Sequence, residues 1–262
     1  MPVLFEQREH VGLVTLSRPH ARNCWGDDFN GEFAAVFRDI ETNDAIRAIV
    51  ITGDDAGGAF SAGADLKNPD THATASIADF IKALPGWRDF PVRVVSDCPK
   101  PVIAAVNGYA IGIGCILTYS CDLIVASERA EWRLPQARLG IMPAYGGAVR
   151  LARWIGKGNA MKLAMGFPLS AREAWRVGLA QWLVPHAELM TTAFDVAESL
   201  SAQPPLATRL TKESIDRGLD IPNINDASLV DAYRFMALEL TEDKREAHDA
   251  WREKRLPRIT GQ

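Results

Sequence analysis

The sequence has no surplus of positive charge: 29 lysines and arginines stand against 33 aspartates and glutamates, giving a formal net charge of −4. Proteins that grip a nucleic-acid backbone normally carry a clustered basic excess, so nucleic acid is not an expected partner. Paired cysteines are missing as well. The four present, Cys24, Cys98, Cys115 and Cys121, form no C-x-x-C motif, and the opening MPVLFEQREHVG lacks the charged-then-apolar order of a secretory signal. Both absences point to a reducing, cytoplasmic setting. Residues 101–121 carry no charge, but Asn107, Gly108, Gly112 and Gly114 interrupt them before Asp122, so strand, loop and buried helix fit better than a membrane span.

Several motifs are also incomplete. GIGCIL offers Gly112 and Gly114 after a strand, but Leu117 occupies the third glycine position of a dinucleotide fingerprint. GAFSAG is not a nucleophile elbow, because Ser61 lacks a glycine two residues earlier. No HExxH or EF-hand spacing occurs, so neither a metal nor a separate cofactor is expected.

What is there suits one large body with an extension: 262 residues, 47% of them hydrophobic, can bury a sizeable core. LFEQREHVGLVTLSR alternates on either side of His10 to Gly12, which predicts a hairpin-like strand pair. Phe29, Phe33, Val36, Phe37 and Ile40 recur at helical spacing, and Ala45 to Gly53 then reads as a buried strand ending in a glycine-rich turn. KPVIAAVNGYAIGIG reads as a second apolar strand followed by a short helix from Gly114 to Ser120, and CDLIVAS as a third strand. Strands that are apolar on both faces and alternate with helices predict an α/β fold with covered sheets. Asn68 to Ser96 predicts a mobile loop and a broken helix.

Beyond Gly146 the pattern is mostly helical, over about 147–154, 158–165, 171–177 with Ser170 as N-cap, 188–201, 206–218, 227–240 and 243–253. Pro204 and Pro205 divide a core, residues 1–203, from a helical C-terminal region, residues 204–262. Leu229, Tyr233, Met236 and Leu240 share one helix face, able to cover the core or to meet another subunit.

Two glycine-rich strand ends carry the chemistry: FSAGADLK, from Phe60 to Lys67, and VNGYAIGIGC, from Val106 to Cys115. Each can present unpaired backbone N–H groups. Facing one another they would form an oxyanion hole for a thioester carbonyl; otherwise they are two tight turns without a ligand.

These segments, together with LSRPHARNCW, IVITGDDAGGAFSAGADLK, the run from Cys121 to Gly156, LSAREAWRVGLAQWLVP and the C-terminal EDKREAHDAWREKRLPRITG, resemble the enoyl-CoA hydratase/isomerase, or crotonase, superfamily nearly end to end. The resemblance implies a spiral of ββα units with a helical trimerisation region, assembled as a homotrimer or dimer of trimers. It also implies an acyl-CoA substrate or ligand, coenzyme A entering only as part of it. Carried over by residue, the oxyanion donors are the backbone N–H groups of Ala64 and Ile113. Ile113 stands where relatives commonly have glycine and narrows the pocket. His20, Ala21, Arg22, Ala64, Asp65, Leu66 and Lys67 map to coenzyme A-binding segments, and Gly112 and Ile116 line the acyl side.

The hydratases of that superfamily place two glutamates about a water molecule, one accepting a proton while the other donates. Here those positions hold Ile116 and Gln136, and a third position that is acidic in some isomerases holds Ala144. Since one general acid or base contributes roughly 10² to 10⁴ in rate, ordinary hydration is expected to be weak or absent. Gln136 is assigned an orienting hydrogen bond, and Tyr145 is the first alternative proton donor, or else a residue that fills the pocket; further candidates are Glu131, Tyr119, which also reads as core, and His72 and Asp79, which also read as solvated loop residues. Strand alternation sets Glu131 and Arg133 opposite Trp132, as a structural ion pair or a contact with a neighbouring chain. Two functions stay open: an enzyme of isomerase, lyase or hydrolase type with unusual proton handling, and a binder that retains acyl-CoA unchanged.

Overall fold

The computed structural model describes residues 2–67 and 76–262. The chain begins with β1 (Val3–Arg8) and β2 (Val11–Leu16), an antiparallel pair, as the alternation predicts. Next come α1 (Asp27–Thr42), β3 (Ala48–Gly53), β4 (Ala59–Ser61), α2 (Ile77–Ala83), α3 (Pro91–Asp97), β5 (Val102–Val106), β6 (Tyr109–Ile111), α4 (Ile113–Thr118), β7 (Leu123–Ser127) and β8 (Glu131–Arg133). The remainder is α5 (Gly147–Ala164), β9 (Leu169–Ser170), α6 (Ala171–Arg176), β10 (Trp182–Val184) and the C-terminal helices α7 (Leu189–Ser201), α8 (Pro205–Gly218), α9 (Ile224–Glu239) and α10 (Glu242–Glu253).

The strands form two sheets, one in the order β1-β2-β3-β5-β7-β10 and one in the order β4-β6-β8-β9. From β3 to β8 the chain lays one strand in the larger sheet and the next in the smaller, then crosses by a helical segment. This is the predicted spiral of ββα units. Pairing along β2, β3, β5, β7 and β10 is parallel throughout.

Two expectations are corrected. Val102 to Ile111 is not one strand: Asn107 and Gly108 break it, and β6 pairs in the smaller sheet with β4 and β8. Asn107 holds the break by donating from Nδ2 to the Gly53 carbonyl oxygen at 3.0 Å. The strand predicted from Ala45 begins at Ala48, because Ala45 and Ile46 are held in a turn by the Asn43 side-chain and main-chain oxygens at 3.0 Å each.

The strands read as apolar on both faces because both faces are covered. Ile49, Ile51, Val102, Ala104 and Val106 face a core shared with the phenylalanines of α1, while Val50, Ile103, Ala105 and Val125 pack under Leu189, Ala193 and Ala197 of α7. On α1, Phe29, Phe33, Phe37 and Ile40 are all buried, the stripe that their spacing dictates. Ser170 caps α6 in a reciprocal box with Glu173. Gly156, at φ 73°, breaks α5 between the two segments that the sequence separates. On α9, Leu229, Tyr233, Met236 and Leu240 are exposed rather than turned onto the core.

Candidate active site

The two glycine-rich turns lie against each other. At Gly63, φ is 86° and an added Cβ would fall 2.7 Å from the Ile111 carbonyl oxygen; at Gly112, φ is 56° and an added Cβ would lie 3.9 Å from the Gly63 Cα. Both positions demand glycine, one for space and both for backbone angle.

Ala64 bridges Trp25 in parallel fashion. Trp25 donates its N–H to the Gly63 carbonyl at 2.7 Å and Asp65 donates to the Trp25 carbonyl at 2.9 Å, a pattern that uses the neighbours of Ala64 and leaves its own N–H out. Ile113 is the first residue of α4, where an N–H has no intrahelical acceptor. Each turn therefore offers one backbone donor, and the partial positive charge of a helix N-terminus adds to that of Ile113. Such donors can stabilise charge developing on a carbonyl oxygen.

Ile116 is buried in α4, and its Cδ1 lies 2.8 Å from where a Cβ on Gly147 would stand, with Pro143 beside it. The floor under the turns is thus aliphatic. Gln136 follows Pro135, with its Nε2 3.7 Å from a Cβ built on Gly112, and its Oε1 is buried without a hydrogen-bond partner among the described residues. A buried carbonyl oxygen of this kind is a standing acceptor for an O–H or N–H. Burial pushes the Cys115 thiol and the Tyr119 phenol up, so both are neutral near pH 7. Tyr119 donates to the Gly147 carbonyl at 3.0 Å and belongs to the core.

The segments assigned to coenzyme A meet on the surface. His20, Ala21 and Arg22 lie on a 3₁₀ turn that is tied to the other segment where Ala62 donates to the Arg22 carbonyl at 3.0 Å. Asn23 locks this junction, donating from Nδ2 to the carbonyls of Asp54 and Ala59 at 2.9 and 2.8 Å. Arg18 pairs with Asp65 at 3.3 Å. The Lys67 backbone N–H, aided by Cys24 and Arg18, holds the Asp65 carboxyl below its usual range. Leu66 and Lys67 are exposed. Neither Arg18 nor Asn23 stands out in the sequence as a candidate, although both flank the quoted proline-histidine segment.

The remaining candidates separate. Glu131 and Arg133 form an ion pair opposite the buried Trp132. Asp79 accepts from the Ser76 hydroxyl at 2.7 Å at the start of α2. His72 lies outside the described residues, and Ala144 is half-buried beside Pro143. Tyr145, at φ 60°, stacks on Trp87 at a centroid distance of 4.8 Å and packs at a tilt against Phe90 at 4.2 Å. Those two aromatics escape sequence reasoning because Pro85, Gly86 and Pro91 make their segment read as a loop.

With this geometry in place, the family model for enoyl-CoA hydratase/isomerase matches residues 6–262. The chain belongs to that family. It is 36% identical to the probable enoyl-CoA hydratase echA8 of Mycobacterium tuberculosis, over 98% of this chain and 97% of the relative. It is also 36% identical to the short-chain-enoyl-CoA hydratase of Clostridium acetobutylicum, over 97% and 95% of the two chains. The crystal structure of an enoyl-CoA hydratase from Bacillus anthracis superposes with a TM-score of 0.92 at 31% identity, covering all of both chains. The hydratase/isomerase fold is therefore common to this chain and its solved relatives, and the expected crotonase resemblance holds across the whole chain.

Proposed function

We propose that this family member binds an acyl-CoA thioester with its carbonyl oxygen between the N–H groups of Ala64 and Ile113, and that it polarises the acyl group without the paired-glutamate hydration of related hydratases. The observation carrying this reading is the pair of N–H groups on apposed glycine turns, with aliphatic Ile116 and carboxamide Gln136 beside them. His20, Ala21, Arg22, Asp65, Leu66 and Lys67 are assigned to coenzyme A, and Gly112 and Ile116 to the acyl side.

Polarisation alone favours reactions whose intermediate is an enolate or a tetrahedral oxyanion, placing the protein among isomerases, lyases or thioester hydrolases acting on an unusual acyl group. Gln136 positions a substrate group or water through its otherwise unpartnered Oε1. The apolar floor at Ile116 supports a second reading, in which the protein retains an acyl-CoA unchanged. The setting is cytoplasmic; no helix among the described residues is long and apolar enough to cross a membrane. The exposed apolar face of α9 supports a homotrimer, alone or doubled, built on the helical region from residue 204.

The test is incubation with a panel of acyl-CoAs, following binding and product by mass spectrometry. Wild-type protein is expected to bind thioesters and leave crotonyl-CoA unhydrated. Restoring both acids, Ile116→Glu with Gln136→Glu, is expected to raise hydration by roughly 10²-fold or more. Conversion of any panel member decides for the enzyme, tight binding with every thioester intact decides for the carrier, and robust wild-type hydration of crotonyl-CoA refutes the proposal.

A further inference from the structure

The three rings of Trp87, Phe90 and Tyr145 lie mutually close, at centroid separations of 5.2, 4.8 and 4.2 Å, with the Trp87–Phe90 and Trp87–Tyr145 pairs near parallel at 19° and 25°. They come from two segments distant in sequence: Trp87 and Phe90 from the stretch leading into α3, and Tyr145 from the turn entering α5. That turn is tied to the candidate site, since Gly147, two residues on, packs on the Ile116 side chain and accepts the Tyr119 hydroxyl. Phe90 and Ile113 pack against the same hydrophobic cluster as Ile116.

The turn is built to hold the Tyr145 ring in place. Tyr145 and Gly146 are consecutive left-handed residues, at φ 60° and 80°. Glycine adopts this conformation freely, but a tyrosine keeps it only where its surroundings impose it. Tyr145 is 47% exposed and Trp87 and Phe90 are half-buried, so the cluster is not closed off from its surroundings. Ile116 and Pro143, the neighbours toward the turns, are apolar and carry no ionisable group.

We propose that the Trp87–Phe90–Tyr145 cluster is the specificity wall of the site, selecting a flat aromatic acyl group over a straight aliphatic one. This rests on the thioester reading above. A rigid ring matches aromatic faces in offset or edge-on geometry and loses little rotational freedom on binding, whereas a saturated chain gives up several rotors for the same buried area.

Benzoyl-CoA and hexanoyl-CoA test it, since neither has an enoyl double bond to hydrate, with free coenzyme A as reference and calorimetry as readout. Wild-type protein is expected to bind benzoyl-CoA about tenfold more tightly than hexanoyl-CoA. Tyr145→Leu and Trp87→Leu are each expected to weaken benzoyl-CoA by roughly three- to tenfold while shifting hexanoyl-CoA less than about twofold. Tyr145→Phe, which keeps the ring, is expected to retain the aromatic preference. Equal or tighter binding of hexanoyl-CoA by the wild type overturns the wall, as does equal weakening of both ligands by folded leucine variants. If neither thioester binds better than free coenzyme A, the thioester reading itself falls and takes the wall with it.

Discussion

Gly63 packs so closely on Ile111 that a Cβ added to it would stand 2.7 Å from the Ile111 carbonyl oxygen. This contact joins two turns that the sequence presents far apart, and it sets the relative position of the Ala64 and Ile113 donors. Gly63→Ala therefore has to push the turns apart as well as hold alanine at φ 86°. Losing one oxyanion donor costs roughly 10²- to 10³-fold in rate where the group stabilises developing charge. The expected outcome is a folded protein by circular dichroism whose bound 13C-labelled thioester carbonyl no longer shifts relative to free ligand. An unchanged shift would show that the apposition of the turns is irrelevant to the ligand.

Lys212 of α8 brings its ammonium group to the starts of β5 and β7. It donates to Asp122 Oδ2 at 2.7 Å and to the Lys100 carbonyl at 3.0 Å, and the same carboxylate oxygen accepts the Val102 N–H at 2.7 Å. Burial raises the Asp122 pKa, and Lys212 is the chief group opposing it. Lys212→Met leaves a partly buried carboxylate unpaired, so a loss of roughly 1–3 kcal/mol is expected in urea unfolding. Adding Asp122→Asn should recover part of that loss. A single-variant cost below about 1 kcal/mol would mean that the pair is solvent-screened.

Glu246 holds the C-terminal segment. It accepts from Arg255 at 2.5 and 3.0 Å and from the Arg258 backbone N–H at 2.7 Å, which pulls its pKa from 4.5 to about 2. A depressed carboxylate binds fewer protons in the folded state than in the unfolded state across that interval, so stability rises with pH through it. The contribution is complete above about pH 4.5 and is lost as pH falls toward about 2. Thermal midpoints of wild type and Glu246→Gln, followed from pH 6 downward, are expected to converge in this window. Parallel curves down to pH 2 would exclude the linkage.

Legibility of the chain followed the range of the forces involved. The phenylalanine stripe of α1 and the Ser170 cap of α6 depend on neighbours within a few residues, so periodicity and capping rules locate them. The role of the break at Asn107 does not: Asn107 and Gly108 visibly interrupt VIAAVNGYAI, but only the pairing of its two halves shows that it serves two sheets. The site divides in the same way. Ile116 and Gln136 are visible as missing acids in the sequence, but the unpartnered Gln136 oxygen and the Trp87–Tyr145 stack exist only once distant segments meet.

The sequence by itself determined which local elements form and which ionisable groups are absent, since composition, spacing and terminal capping act along the chain. Tertiary structure alone decided that two glycine turns share a boundary and that Trp87, Phe90 and Tyr145 gather into one cluster. Those outcomes come from burying apolar surface and satisfying backbone groups among residues distant in sequence, and no local pattern encodes that matching.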